Sequence, residues 1–126
     1  MLCSLTDALE ELKRANTFLL TTHASPDGDA IGSMLALHHF LLRIGKSDIT
    51  SACHDPVPRI YQWLPLADTI VGADAMDEAY DLVVIIDVAQ KARIGSIGEA
   101  LQPHQRVMVL DHHLAKAPCG DINFMD

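Results

Sequence analysis

Helical and strand-like patterns of apolar residues alternate along the chain. In three segments the apolar positions recur every three or four residues, as expected for helices that pack one face against a core. Ser4 or Thr6 suits the cap of the first helix, and Gly45 suits the end of the second. The predicted helices span residues 4–15, 30–44 and 94–101.

Short segments rich in apolar and β-branched residues lie between these helices and predict strands. The clearest is DLVVIID, in which five apolar residues stand between two aspartates. A segment bounded by prolines, DPVPRIYQWLP, predicts a turn and a short helix. Strands that alternate with helices indicate an α/β fold with a parallel sheet in three layers. The predicted strands span residues 16–22, 47–53, 81–87 and 106–111.

Polar side chains follow three of the predicted strands at the point where each strand ends. The carboxyl ends of parallel strands meet at one edge of a sheet, and ligands of such sheets bind there. We therefore expect these side chains to converge, although they are far apart in the sequence. They are His23, Asp27 and Asp29 after the first strand, Asp87 after the third, and Asp111, His112 and His113 after the fourth.

The chemistry of this group indicates a metal site. Four aspartates at one edge would repel one another unless cations neutralise them. Carboxylates and imidazoles without a thiolate suit Mn²⁺, Mg²⁺ or Fe²⁺ better than structural zinc. Gly28 lets the turn direct Asp27 and Asp29 at two neighbouring ions, and Asp87 could bridge them. Two ions about 3.5–4 Å apart promote phosphoryl displacement.

Each motif also has a purely structural explanation. PDGD alone is most often a surface turn. As a calcium-binding loop it would place Ile31 and His38 where ligands are needed, so that interpretation fails. His38 falls on the apolar face of the second predicted helix, and we interpret it as a core histidine. Metal-binding residues at three separate strand ends favour the functional interpretation.

Composition limits the class of protein. With 17 acidic and 9 basic residues the formal net charge is −8, which argues against binding long duplex nucleic acid. Cys3, Cys53 and Cys119 have no CxxC spacing and predict reduced thiols. No apolar run approaches the ~20 residues that cross a bilayer, and the amino terminus lacks a signal-peptide pattern. We expect a cytoplasmic protein without a membrane partner.

Taken together, the motifs resemble those of a known enzyme family. The segments DPVPRIYQWLP, ARIG and GDINFMD are similar to bacterial oligoribonucleases and 3′-phosphoadenosine-5′-phosphate (pAp) phosphatases. The resemblance runs over essentially the whole chain. Motifs I, II and III of the DHH-family phosphoesterases are similar to His23-x-x-Pro26-Asp27-x-Asp29, the strand ending at Asp87, and Asp111-His112-His113.

The resemblance implies a site for two metal ions, usually Mn²⁺, with Mg²⁺ as the alternative. It implies that His113 faces the scissile phosphate as a hydrogen-bond donor or acid. It also implies that Asp111 orients the pair of histidines. The implied ligands are His23, Asp27 and Asp87 for one ion, and Asp29, Asp87 and His112 for the other.

The implied activity is hydrolysis of short oligoribonucleotides or of pAp by a metal-activated hydroxide. Within the same superfamily, pyrophosphatase, polyphosphatase and cyclic-dinucleotide phosphodiesterase activities are the alternatives. From a different class, the alternative is a non-catalytic module that binds nucleotide or metal, or only pairs with another subunit.

The chain departs from the family pattern at two points. After DHH the group carries Ser-Asn, where this chain has Leu114-Ala115-Lys116, and Lys116 could contact a phosphate instead. The family also has a fourth motif with a further Asp ligand and a C-terminal DHHA1-type substrate domain. We do not assign Asp126 to that ligand. We therefore expect residues 1–126 to be the N-terminal part of a catalytic domain, whose uncovered apolar surface would favour a homodimer.

Overall fold

Strands and helices alternate along residues 2–114 and 117–126, which are the residues described by a computed structural model of the chain. The helices are α1 (Leu5–Arg14), α2 (Gly28–Arg43) and α3 (Ser96–Ala100). The strands are β1 (Thr17–Thr21), β2 (Asp48–Ser51), β3 (Leu82–Ile86), β4 (Val107–Asp111) and β5 (Ile122–Met125). Short 3-10 turns occur at Arg59–Tyr61, Ala67–Thr69, Ala73–Ala75 and Lys91–Ile94.

The strands pair in parallel in the order β2-β1-β3-β4-β5. The chain moves from β1 to β2 in one direction and from β3 to β5 in the other, so the winding reverses between β1 and β3. At such a reversal the connections leave on opposite faces and a crevice forms beyond the carboxyl ends of the strands. The prediction of a parallel α/β sheet is confirmed.

Alternating side chains of the sheet build a core on each face. Phe18 and Leu20 of β1 pack in one cluster with Met34 of α2, whereas Leu19 packs in a second cluster with Ile97 of α3. All five side chains are fully buried. The sheet is therefore the middle layer of three, as the sequence predicts.

The helix starts follow from their caps. The Ser4 hydroxyl accepts a hydrogen bond from the backbone N–H of Asp7, and the Asp7 carboxylate accepts one from the backbone N–H of Ser4. This capping box makes Ser4 rather than Thr6 the N-cap of α1. Helix α2 begins at Gly28, earlier than predicted, because Asp27 is its N-cap.

Two segments differ from their predictions. The sequence patterns do not predict β5, since its four residues, INFM, are too few to show a period. The proline-bounded segment predicts a short helix, but the structure has only a 3-10 turn at Arg59–Tyr61. Pro56 and Pro58 precede this turn, and proline restricts the preceding residue to extended backbone.

The prediction that His38 is a core histidine is confirmed. His38 is buried, and its Nδ1 lies 3.0 Å from Ser51 Oγ. Burial lowers the pKa of His38, so the core histidine is neutral at pH 7.

The three cysteines are free thiols, and burial raises the pKa of Cys53 to about 12. None of the helices in the described segments has the length and apolar character needed to span a bilayer.

Candidate metal centre

The side chains predicted from the three strand ends lie along one edge of the sheet, next to the reversal between β1 and β3. Each reaches the edge through its own element. They are His23, two residues beyond β1; Asp27 and Asp29, at the start of α2; Asp87, directly after β3; Asp111, the last residue of β4; and His112 and His113, which follow it.

Asp87 lies at the centre of this group, and only 6% of its side chain is exposed. Its Oδ1 lies 2.8 Å from Nε2 of His112, and its Oδ2 lies 3.4 Å from Nε2 of His23. Its backbone has a φ of +66°, which residues other than glycine seldom adopt. A hydrogen bond of 2.9 Å from its N–H to the Leu110 carbonyl holds it there. The fold therefore maintains an unfavourable backbone that turns one carboxylate oxygen towards each histidine.

His23, Asp27 and Asp87 form the first group that could hold a metal ion, with ligand atoms within 4.8 Å of one another. The Nδ1 atom of His23 lies 2.8 Å from the carbonyl oxygen of Ala24. A carbonyl only accepts hydrogen bonds, so Nδ1 carries the proton. The lone pair of Nε2 is then free on the side that faces the two carboxylates.

Asp27 both caps α2 and belongs to this first group. Its Oδ1 accepts a hydrogen bond of 2.9 Å from the backbone N–H of Ala30 and lies 3.9 Å from Nε2 of His23. Next to Asp27, a Cβ at Gly28 would come within 3.2 Å of the Tyr61 hydroxyl. The glycine between the two aspartates therefore makes room for the Tyr61 ring.

The second group consists of Asp87, Asp111, His112 and His113, whose ligand atoms also lie within 4.8 Å of one another. Oδ1 of Asp111 accepts hydrogen bonds from Nδ1 of His113 at 2.6 Å and from the backbone N–H of His112 at 2.8 Å. Oδ2 of Asp111 is buried and has no hydrogen-bond partner among residues 2–114 and 117–126. A buried carboxylate oxygen without a donor fits a site that binds a cation.

Asp29 lies beside this second group, but its carboxylate is not among the ligand atoms that lie within 4.8 Å of one another. Its Oδ2 is 3.2 Å from Nε2 of His112, and its Oδ1 accepts a hydrogen bond of 3.3 Å from the Ser33 hydroxyl. The hydrogen bond to Asp87, together with the charges of Asp87, Asp29 and Asp111, raises the pKa of His112. The surrounding carboxylates therefore favour the protonated form of this imidazole.

The two groups share Asp87, and their donors are carboxylate oxygens and imidazole nitrogens. This donor set fits hard or borderline divalent cations such as Mn²⁺ and Mg²⁺. A shared carboxylate is also the usual connection between two ions that act together on a phosphate. Chemically, the edge can hold such cations and present His113, with 55% of its side chain exposed, to a ligand.

A cavity of about 370 Å³ opens beside the second group. Phe124 of β5 and Asp126, which follows β5, line this cavity, and the sequence patterns predict neither residue there. Only the pairing of β5 with β4 could have revealed them. Lys116, which the sequence analysis names as a residue that could contact a phosphate, lies outside the described residues. The lining combines acidic residues and His112 with apolar ones, namely Leu5, Leu37, Ile86, Leu110 and Phe124.

Comparison with known proteins relates this geometry to a family. The sequence model of the DHH family, N-terminal domain, matches residues 17–126. The bifunctional oligoribonuclease and PAP phosphatase NrnA of Thermus thermophilus is 31% identical over 107 residues, which are 85% of this chain and 31% of that protein. The protein of the same name from Bacillus subtilis is 27% identical over 124 residues, 96% of this chain and 37% of that protein.

A solved structure agrees with these matches. The crystal structure of an exopolyphosphatase-related protein from Bacteroides fragilis has a TM-score of 0.84 at 26% identity. The match covers 95% of this chain and 37% of that one. The chain spans about a third of the length of the curated relatives that it matches. The family model covers most of the sequence, so the chain belongs to the DHH family. Residues 17–126 represent the N-terminal domain of that family.

Proposed function

We propose that this chain contains the metal-binding part of a phosphoesterase site and hydrolyses short oligoribonucleotides or pAp. The position of Asp87 supports the proposal most strongly, because its two oxygens face histidines from two different strand ends. A carboxylate placed in this way can bind two cations, one through each oxygen. The substrate class comes from the NrnA relatives, which are named for oligoribonuclease and PAP phosphatase activity.

The proposed cofactors are two Mn²⁺ ions, with Mg²⁺ as the alternative. When bound, such ions lower the pKa of a water molecule and neutralise charge on a phosphate. The formal net charge of −8 is consistent with this role, because the cations rather than basic side chains would attract the phosphate. The proposed ligands are His23, Asp27 and Asp87 for one ion, and Asp29, Asp87 and His112 for the other.

His113 and Asp111 would act on the substrate side of the site. Asp111 holds the Nδ1 proton of His113, so Nε2 of His113 is left to face the phosphate. Protonated His113 would donate a hydrogen bond to the scissile phosphate or a proton to the leaving oxygen. Asp111 would be a positioning residue, since it acts through the histidine.

A second candidate is hydrolysis of pyrophosphate or polyphosphate by the same residues. The observation that favours it is the likeness, at 26% identity, to an exopolyphosphatase-related protein. The reaction also joins water to phosphorus and releases a phosphate oxygen, so it needs the same cations. The two candidates differ in whether the site accepts a nucleoside.

Hydrolysis measured with the purified chain tests the proposal. It is followed as phosphate release from pAp and pyrophosphate and as mononucleotide release from a diribonucleotide. Substrates are pAp, a diribonucleotide and pyrophosphate, each with and without Mn²⁺. Asp87→Asn removes the shared carboxylate. Asp48→Asn is the matched control, because it makes the same chemical change at the first residue of β2, at the opposite edge of the sheet.

We expect Mn²⁺-dependent hydrolysis of pAp and the dinucleotide by the wild-type and Asp48→Asn chains. The Asp87→Asn chain should have none. Hydrolysis of pyrophosphate alone would favour the second candidate. Mn²⁺ binding with no hydrolysis of any substrate would contradict the proposal and favour the non-catalytic module.

A further inference from the structure

We propose that Asp55 is a positioning residue that controls the imidazole of His23 through one intervening peptide group. This inference rests on the proposed function, because His23 is a proposed metal ligand. Asp55 lies in the loop after β2, is half-buried, and belongs to neither group of candidate ligands. Its role follows from the bonds of the Ala24–Ser25 peptide.

That peptide is hydrogen-bonded at both of its polar atoms. The carbonyl oxygen of Ala24 accepts a bond of 2.8 Å from Nδ1 of His23. The N–H of Ser25, in the same peptide unit, donates a bond of 2.6 Å to Oδ2 of Asp55. A trans peptide is planar, and its C=O and N–H point in opposite directions. The carboxylate on one side therefore fixes the plane that orients the imidazole on the other.

The backbone around this peptide needs such support. Ser25 has a φ of +52°, in the left-handed region that a serine rarely adopts. A hydrogen bond to a charged carboxylate is stronger than one between neutral groups, so Asp55 can stabilise this conformation. On the other side of the loop, the N–H of Ala24 donates a bond of 2.7 Å to the carbonyl of Arg93. The β1–α2 loop is thus held by hydrogen bonds on both sides, from Asp55 after β2 and from Arg93 in the 3-10 turn at Lys91–Ile94.

Asp55 also affects the protonation pattern of His23. A carboxylate that accepts the Ser25 N–H polarises the peptide and makes the Ala24 oxygen a better acceptor. The proton of His23 is then kept on Nδ1, and the Nε2 lone pair remains directed at Asp87, whose Oδ2 is 3.4 Å away. Metal-binding histidines commonly donate to either a carboxylate or a carbonyl. Here His23 donates to the Ala24 carbonyl, and the Asp55 carboxylate accepts from the N–H of the same peptide.

The fold explains how Asp55 reaches this position. Strand β2 pairs in parallel with β1, with Leu20 opposite Ser51, so the segments that follow both strands emerge at the same edge. Asp55 follows Ser51 by four positions and meets the β1–α2 loop there. Asp55 therefore follows the strand on one side of β1, whereas Asp87 follows β3 on the other side.

The test compares three variants of the chain by two measurements. Asp55→Ala removes the acceptor, and Asp55→Asn keeps an acceptor oxygen but removes the charge. Asp121→Ala is the matched control, because Asp121 also accepts a backbone N–H, that of Val107, at 2.8 Å, but at the amino end of β4. The measurements are the ¹⁵N NMR spectrum of His23 without metal at about pH 8, where imidazole is neutral, and the dissociation constant for Mn²⁺ alone.

In the wild-type chain we expect His23 with its proton on Nδ1. In Asp55→Ala the proton should shift towards Nε2, and Mn²⁺ should bind about 10-fold more weakly, the lower end of the usual loss for such partners. Asp55→Asn should give results between those of the wild type and Asp55→Ala, with Mn²⁺ bound about threefold more weakly than by the wild type. Asp121→Ala should be less stable to urea yet keep the wild-type tautomer and Mn²⁺ affinity.

Wild-type tautomer and affinity in Asp55→Ala would overturn the inference and leave the proposed metal site intact. If Asp55→Ala does not fold, wild-type values of both quantities in Asp55→Asn would overturn it. A wild-type chain that binds no Mn²⁺ would contradict the proposed function instead. The tautomer of His23, measured without metal, would then still decide whether Asp55 controls this imidazole.

Discussion

Nδ1 of His113 lies 2.6 Å from Oδ1 of Asp111, so the last residue of β4 orients a ring two positions further along the chain. The Asp111 side chain is 1% exposed, whereas that of His113 is 55% exposed. The buried strand end provides the rigid support, and the exposed ring is accessible to a ligand. The neighbouring His112 instead directs Nε2 at Asp87 and Asp29.

Because the two imidazoles face different partners, substitution of His113 and substitution of His112 should affect different quantities. We expect His113→Gln to lower kcat for pAp hydrolysis by about 100-fold, as for the loss of a general acid. Its Mn²⁺ affinity should stay near the wild-type value, because His113 is not a proposed ligand. His112→Gln should weaken Mn²⁺ binding. Steady-state kinetics and calorimetric titration measure the two quantities, and an equal loss of Mn²⁺ affinity in both variants would contradict the division of roles.

A stability prediction concerns Glu11 of α1. Arg106 donates to it from Nε at 3.0 Å and from Nη2 at 2.6 Å, and these hydrogen bonds lower the pKa of Glu11. A carboxylate with a lowered folded-state pKa stabilises the fold above its unfolded pKa, about 4.3, and this stabilisation is lost as the pH falls through the folded value. Glu11→Gln should therefore lower the free energy of unfolding by about 1 kcal/mol at pH 7.

The pH dependence distinguishes this ion pair from a general effect on the helix. In urea unfolding, the difference between wild type and Glu11→Gln should narrow as the pH falls below about 4, because Glu11 also becomes neutral. The control is Glu10→Gln, the same change at the exposed neighbouring position, with little expected effect at any pH. A Glu11→Gln difference that stays constant down to acid pH would count against the role of the charge.

The cap of α1 gives another prediction. Ser4→Ala removes the hydroxyl that accepts from Asp7 N–H at 3.1 Å, and it should lower the free energy of unfolding by about 1 kcal/mol. Thr6→Ala makes a similar change inside the helix at an exposed position and should have an effect below about 0.5 kcal/mol. Urea unfolding measures the free energy of unfolding of both variants. An equal loss of this free energy in both would argue against Ser4 as the cap.

The fold was predictable where a segment is buried on both faces. Strand β3 consists of five apolar residues that are all buried, and this pattern has no common alternative in so short a segment. Strand β5 has four residues, of which Phe124 and Met125 are only half-buried, so its sequence does not distinguish it from a loop. Its existence depends on pairing with β4, which is a tertiary contact.

The candidate ligands were predictable because each follows a strand end or starts the next helix, and a parallel sheet collects such positions at one edge. The sequence could not specify that Asp29 contacts His112 while Asp111 and His113 converge on Asp87. That detail depends on side-chain rotamers. The sequence patterns do not predict the contact of Asp55 with Ser25 either, because that contact depends on the orientation of a single peptide.

In the proposed site Asp87 would be the carboxylate shared by two metal ions, and the electron paramagnetic resonance spectrum of the Mn²⁺-loaded chain tests this central claim most directly. Two Mn²⁺ ions joined by a carboxylate at about 3.5–4 Å are close enough to couple their spins. We expect the wild-type chain to show the spectrum of a coupled pair and Asp87→Asn to lose it. A spectrum of isolated Mn²⁺ in the wild-type chain, or a coupled pair that persists in Asp87→Asn, would contradict the claim.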